Sequence, residues 1–212
     1  VKGTSDSTSV LSANDGSTVE VAAGKQLLTN THTALLANNA TANNRGGIFS
    51  TREKGIGIYA INSKGTKGAY NYGHIGIAKD ESVGIFGKNS SLLNADTGDI
   101  VVESKKSIAM LGTEASNVKN KGRIELKKGL LTSFADGLVG IAVNGEGSTG
   151  TNSNEINIDV DASDKDTEYS IGMLAESGAT IKNESTGTIT AKGAHNVGMY
   201  SKGTNLEKIT AT

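Results

Sequence analysis

One short string, aliphatic-Gly-aliphatic-apolar-small, returns so regularly along this chain that it limits the fold more than any other feature. Ile56-Gly57-Ile58-Tyr59-Ala60 comes back at 83–87, 108–112, 139–143, 171–175 and 197–201, with Ala109 replacing the glycine once; successive starts lie 27, 25, 31, 32 and 26 residues apart. A second alternating burst, Gly-x-Ile-x-aliphatic, follows each copy at 73–77, 98–102, 122–126 and 187–191, and at 154–158 with Asn154 in the glycine's place. Between the two sits a shorter aliphatic-x-Asn step: Leu92 with Asn94, Val118 with Asn120, Ile181 with Asn183. Self-similarity at 20–50 residues is the mark of a repeat architecture.

Three short strands and three turns use about 22 to 30 residues, the length of one turn of a triangular β-solenoid. The chain is therefore expected to be all-β, a right-handed parallel β-helix with three sides and about seven rungs. At roughly 4.8 Å per rung it would form a rod on the order of 35 Å long. Leucine-rich repeats need a spacing that does not occur here, and a β-sandwich would not force the same string to return on a cycle. Absence of Pro agrees, since every central rung needs its N–H groups.

Period-2 alternation sends Ile56 and Ile58, with Val83 and Ile85, Ile108 and Met110, and Ile171 and Met173, toward the interior. Asn94, Asn120 and Asn183 are expected at the corner before the third strand, where an amide can satisfy backbone groups freed by the bend and stack on its equivalent in the next rung. The chain reads as one β-helix segment over 1–212, irregular or shortened over 1–50 and regular over 54–212. Within the first part, Val19–Val21 after Gly16 resembles a third strand, 34–37 a first strand and 46–49 another third strand. The longer periods place extra residues in 127–136, 144–153 and 161–169. With no polar cap visible at Thr212, the polypeptide is expected to be a fragment of a longer β-helix.

Composition adds exclusions. About two-fifths of the residues are Gly, Ser, Thr or Asn, but the apolar residues arrive in alternating bursts, which argues strands and turns rather than disorder. Twenty-one Lys and Arg against 22 Asp and Glu leave a net charge of −1, so nucleic acid and anionic membranes are not expected partners. No run of apolar residues is long enough to span a bilayer, and the start lacks the pattern of a signal peptide. Without Cys, stability must come from packing.

The strings at 54–60, 82–87, 170–175 and 196–201, together with Lys182-Asn-Glu-Ser-Thr-Gly-Thr-Ile-Thr190, resemble passenger repeats of large fusobacterial type V autotransporter adhesins of the RadD-like family. The resemblance covers residues 34–212. It implies a passenger displayed at the cell surface, outside the outer membrane, and a role in adhesion. The implied partners are a host cell-surface receptor or glycan, or the surface protein of another bacterium. It carries no binding motif onto numbered positions here.

Chemical motifs are sparse. Gly145-Glu-Gly147-Ser-Thr-Gly150 matches a dinucleotide fingerprint, but no helix pattern follows to hold a pyrophosphate, so it reads as a turn. Asp96-Thr97-Gly98 lacks the second triplet of an aspartic protease and reads as a corner. His32, His74 and His195 fall in different rungs, so no zinc site is expected. The acidic loop 159–168, with Asp159, Asp161, Asp164, Asp166 and Glu168, lacks the EF-hand glycine; it reads as a solvated loop, with calcium as the alternative. No cofactor, metal or catalytic residue is assigned.

Two outward rows remain. On the third strand, His74, Asp99, Arg123, Glu155 and Thr188 alternate in charge, with Gly76, Val101, Glu125, Asn157 and Thr190 two residues along. Cross-rung neutralisation is one reading, and a catalytic carboxylate pair of Asp99 with Glu125 in a carbohydrate-active enzyme is the other. On the first strand, Tyr59, Phe86, Leu111, Leu174 and Tyr200 turn outward beside a flat row of Gly57, Gly84, Gly140, Gly172 and Gly198. Such a stripe is either an external stacking ladder or a contact surface for a sugar ring or a partner's apolar edge. The chain is thus expected to be a non-enzymatic adhesin segment that binds through its loops and this stripe, with a polysaccharide lyase or hydrolase and a pure spacer as alternatives.

Overall fold

In a computed structural model that describes residues 2–3, 9–128, 137–160, 169–193, 195–203 and 208–211, every strand pairs in parallel with the strand three places on. Three sheets of eight strands result, and no helix occurs among the described residues. The chain is a right-handed parallel β-helix. The repeated string makes one side, as in Ile56–Ile61 and Val83–Lys88; the Asn step makes the next, as in Ser91–Asn94; the Gly-x-Ile burst makes the third, as in Asp99–Val102. They are called the aromatic, asparagine and charged faces below.

Aliphatic side chains stack up the axis. Ile58, Ile85, Met110, Ile141 and Met173 of the aromatic face are fully buried against Ile48, Ile75, Ile100, Ile124 and Ile156 of the charged face. Each residue lies directly over its equivalent, as Ile58 over Ile85 over Met110, so water is excluded between these turns.

At the asparagine corner a polar column runs through this apolar rod. Nδ2 of Asn44 donates to Oδ1 of Asn71 at 2.8 Å, Asn71 to Asn94 at 2.8 Å, Asn94 to Asn120 at 2.8 Å, Asn120 to Asn152 at 2.8 Å and Asn152 to Asn183 at 2.7 Å. Each amide also donates to a nearby carbonyl, such as that of Arg123 for Asn94 at 3.1 Å. The corner role expected of Asn94, Asn120 and Asn183 is observed, and Asn44, Asn71 and Asn152 extend it. A second column is built from serine: the N–H groups of Ala40, Ser63 and Ser90 donate to Oγ of Ser63, Ser90 and Ser116 at 3.0–3.1 Å.

Four expectations need correction. Ile56, Val83, Ile108 and Ile171 are not core residues but half-buried, because alternation breaks at the following position. That position, Gly57 or Gly84, is buried, and a Cβ there would meet the next turn's carbonyl oxygen at 2.5–2.6 Å and the interior Cγ2 of Ile75 or Ile100 at 3.1–3.2 Å. Consequently the glycines at 57, 84, 140 and 172 form no outer flat row; they face inward. Val19–Val21 belongs to the asparagine face, in register with 42–44, since Gly16 sits at φ 84° in the preceding turn rather than opening a strand. Finally, 144–153 is no protruding loop: Thr149–Asn152 is a strand in register with Asn117–Asn120. The other two expected insertions fall largely outside the described residues.

Candidate functional site

The outer surface of the aromatic face carries the stripe. Leu36, Tyr59, Phe86, Leu111, Ala142, Leu174 and Tyr200 lie in one unbroken register. The Tyr59 and Phe86 rings stack 4.8 Å apart at 2°, and Tyr200 is 44% exposed. Ala142, which is buried, notches the stripe between Leu111 and Leu174. Ile56, Val83 and Ile108 run beside it, so displacement of these residues from the core widens the apolar surface. The five residues expected on this face are therefore aligned, while the glycines expected to flank them are not exposed.

The charged face holds a groove of about 700 Å³. Its rows have the register expected: His74 over Asp99, Arg123, Glu155 and Thr188, and Gly76 over Val101, Glu125, Asn157 and Thr190. Nδ1 of His74 donates to Asp99 Oδ2 at 2.9 Å, and Arg123 donates to both Asp99 oxygens at 3.0 and 3.3 Å. Arg123 also pairs with Glu125 at 3.3 Å, and Lys127 bridges Glu125 and Glu103 at 3.5 Å each. One end of the groove is apolar, made by Phe49 and by Leu28, which is 45% exposed. Sequence reasoning missed both, although Gly47 and Gly76 on either side of Phe49 were a signal: a Cβ at either position would meet the Phe49 ring, at 2.9 and 3.1 Å.

Burial pushes the Asp99 carboxyl up, but its hydrogen bonds from His74 and Arg123, with the Arg123 charge, outweigh this and hold it below the ordinary 3.8. A carboxyl depressed by folding stabilises above its unfolded pKa, and that contribution disappears as pH falls through the lower folded value. Acid unfolding below about pH 4 should accordingly flatten in Asp99→Asn, followed by circular dichroism; an identical acid limb in the variant would show the ion pair to be inert.

The remaining motifs fall in turns and at exposed positions. Gly145 and Gly147 have φ of 91° and 75° in a corner that leads to a strand, not a helix. Thr97 Oγ1 donates to the carbonyl of Tyr72 in the corner expected. His32 lies 3.3 Å from Arg52, and the His195 ring lies 5.7 Å from that of Tyr169. Among the described residues no group of three His, Cys, Asp or Glu is arranged to hold a metal; apart from Asp159, the acidic cluster lies outside them. No helix among the described residues is long and apolar enough to cross a membrane.

Fold and surface together define a parallel β-helix whose outer faces carry the candidate sites. Residues 132–212 match the family described as the BigA third pectate lyase-like domain, less than half of the chain. No curated protein and no solved structure matches. The family name is a fold-level relation, and the groove residues named above, all between 28 and 127, precede the matched region.

Proposed function

We propose that this chain is a non-enzymatic segment of a bacterial autotransporter-type passenger, displayed at the cell surface, that binds a host receptor or glycan or another bacterium's surface protein. The observation that carries this reading is the stripe: stacked Tyr59 and Phe86, with Leu111, Leu174 and Tyr200 in register on a rigid sheet, hold apolar area toward solvent. Large side chains aligned this way suit a contact surface. The match of 132–212 supports a passenger of this type, and the repeat strings favour the fusobacterial RadD-like group.

A hydrolase working through this carboxylate pair would need one carboxyl kept protonated as an acid beside a second kept ionised. Asp99 and Glu125 instead share Arg123, and Asp99 is held ionised. The purified chain should therefore bind members of a panel of glycans, receptors and bacterial cells without releasing reducing sugar from polysaccharides. Joint replacement of Tyr59 and Phe86 by Ser should weaken that binding about tenfold or more, by the loss of two aromatic contacts. Failure to bind any member would leave the spacer reading, and released sugar the enzyme reading.

A further inference from the structure

The groove on the charged face has a composition that the stripe lacks, apolar at one end and densely hydrogen-bonding along the rest. Its apolar end exists because two glycines make room for it. Gly76 occupies the outward position that Val101 and Glu125 fill on the next two turns, and Gly47 lies on the turn before. The Phe49 ring lies across the space the two leave, tilted 41° to the His74 ring at 5.3 Å. Leu28, in register with Phe49, adds a second exposed apolar side chain. An open hollow of about 700 Å³ has room for a small ligand and is far larger than a single ion needs.

Its polar wall is electrically compensated. Asp99, Glu125 and Glu103 face Arg123 and Lys127 in one continuous chain of ion pairs, with His74 joined to Asp99. A uronate or other acidic ligand would approach three carboxylates whose counter-charges are already engaged, and a bare cation would meet Arg123 and Lys127. A polyol escapes both penalties. Each hydroxyl can donate to a carboxylate oxygen with a spare lone pair and accept from a guanidinium or ammonium hydrogen, while the C–H face of the ring covers Phe49 and Leu28.

We propose that this groove binds a neutral saccharide, with Phe49 as platform and Asp99, Arg123 and Glu125 as the hydrogen-bonding wall. The site is independent of the stripe and holds whether or not the stripe contacts a partner.

The test is calorimetric titration of the purified chain with neutral gluco-, galacto-, manno- and xylo-oligosaccharides, and with oligogalacturonate as the acidic comparator. At least one neutral series should bind with Kd below about 1 mM and at least tenfold more tightly than oligogalacturonate. Phe49→Ala should weaken it about tenfold or more and Phe49→Tyr should restore it. Leu28→Glu, at a side chain exposed enough to leave the fold intact, should weaken it similarly with an unchanged melting temperature. No neutral binding, equal or tighter binding of the acidic oligomer, or binding indifferent to both Phe49→Ala and Leu28→Glu would overturn the assignment. Loss of stripe-dependent binding in Tyr59 and Phe86 variants, with saccharide titration unchanged, would separate the two sites.

Discussion

Asn94→Ala should destabilise the chain by about 2–4 kcal/mol, well above the cost of a typical surface substitution. Asn94 is completely buried, accepts from Asn71 at 2.8 Å and donates to Asn120 at 2.8 Å and to the Arg123 carbonyl at 3.1 Å. Truncation removes these bonds and leaves an acceptor on Asn120 and a donor on Asn71 without their ladder partners, in a region water does not reach. Each such group costs about 1–3 kcal/mol. Asn94→Asp should be worse at neutral pH, because a carboxylate cannot donate to Asn120 and its charge has no buried partner. Asn43→Ala, one residue from the same column but half-buried on the outer side, should change stability by less than about 0.5 kcal/mol. Urea midpoints of the three variants decide the matter; equal shifts for Asn94→Ala and Asn43→Ala would mean that the column does not hold the turns together.

A comparable loss, about 3 kcal/mol or more, is expected for Gly84→Val. A Cβ at position 84 would sit 2.6 Å from the Ala109 carbonyl oxygen and 3.1 Å from Ile100 Cγ2, so the first of three added carbons already strikes backbone. The neighbour cannot rotate away, since that carbonyl belongs to the next turn. Gly84→Ala should already show a measurable part of this loss, because its single added carbon is the one that meets the carbonyl, although Ala34 and Ala109 are held, fully buried, at the equivalent place on their own turns. Thermal melts of the pair check this, and a valine variant as stable as the parent chain would contradict inward-facing glycines.

Much of this was legible in the sequence because a solenoid repeats its own evidence. Three faces, their order and the register of His74, Asp99 and Arg123 follow from copies that align at a common offset. Half of the asparagine column was hidden, since Asn44, Asn71 and Asn152 are preceded two residues earlier by Ala42, Ala69 and Gly150 rather than by a large aliphatic residue. Strict alternation misassigned Ile56 because it cannot detect an inward glycine that inserts a step. The groove escaped because Leu28 and Phe49 come from early turns that lack the full Gly-x-Ile string, and their proximity to Arg123 exists only after stacking.

The bonds that join one turn to the next, backbone and amide alike, run along the rod. Mechanical tension applied end to end is consequently carried in series, every junction bearing the entire load, and the weakest one governs the strength of the whole. One contact between turns is longer than its equivalent: where Asn154 replaces glycine, the Glu155 amide reaches the Gly122 carbonyl at 3.4 Å, against 2.9 Å for Arg123 to Gly98 one turn earlier. A side chain at this corner thus accompanies a longer bond between those two turns, and an axial pull meets less resistance at that one contact.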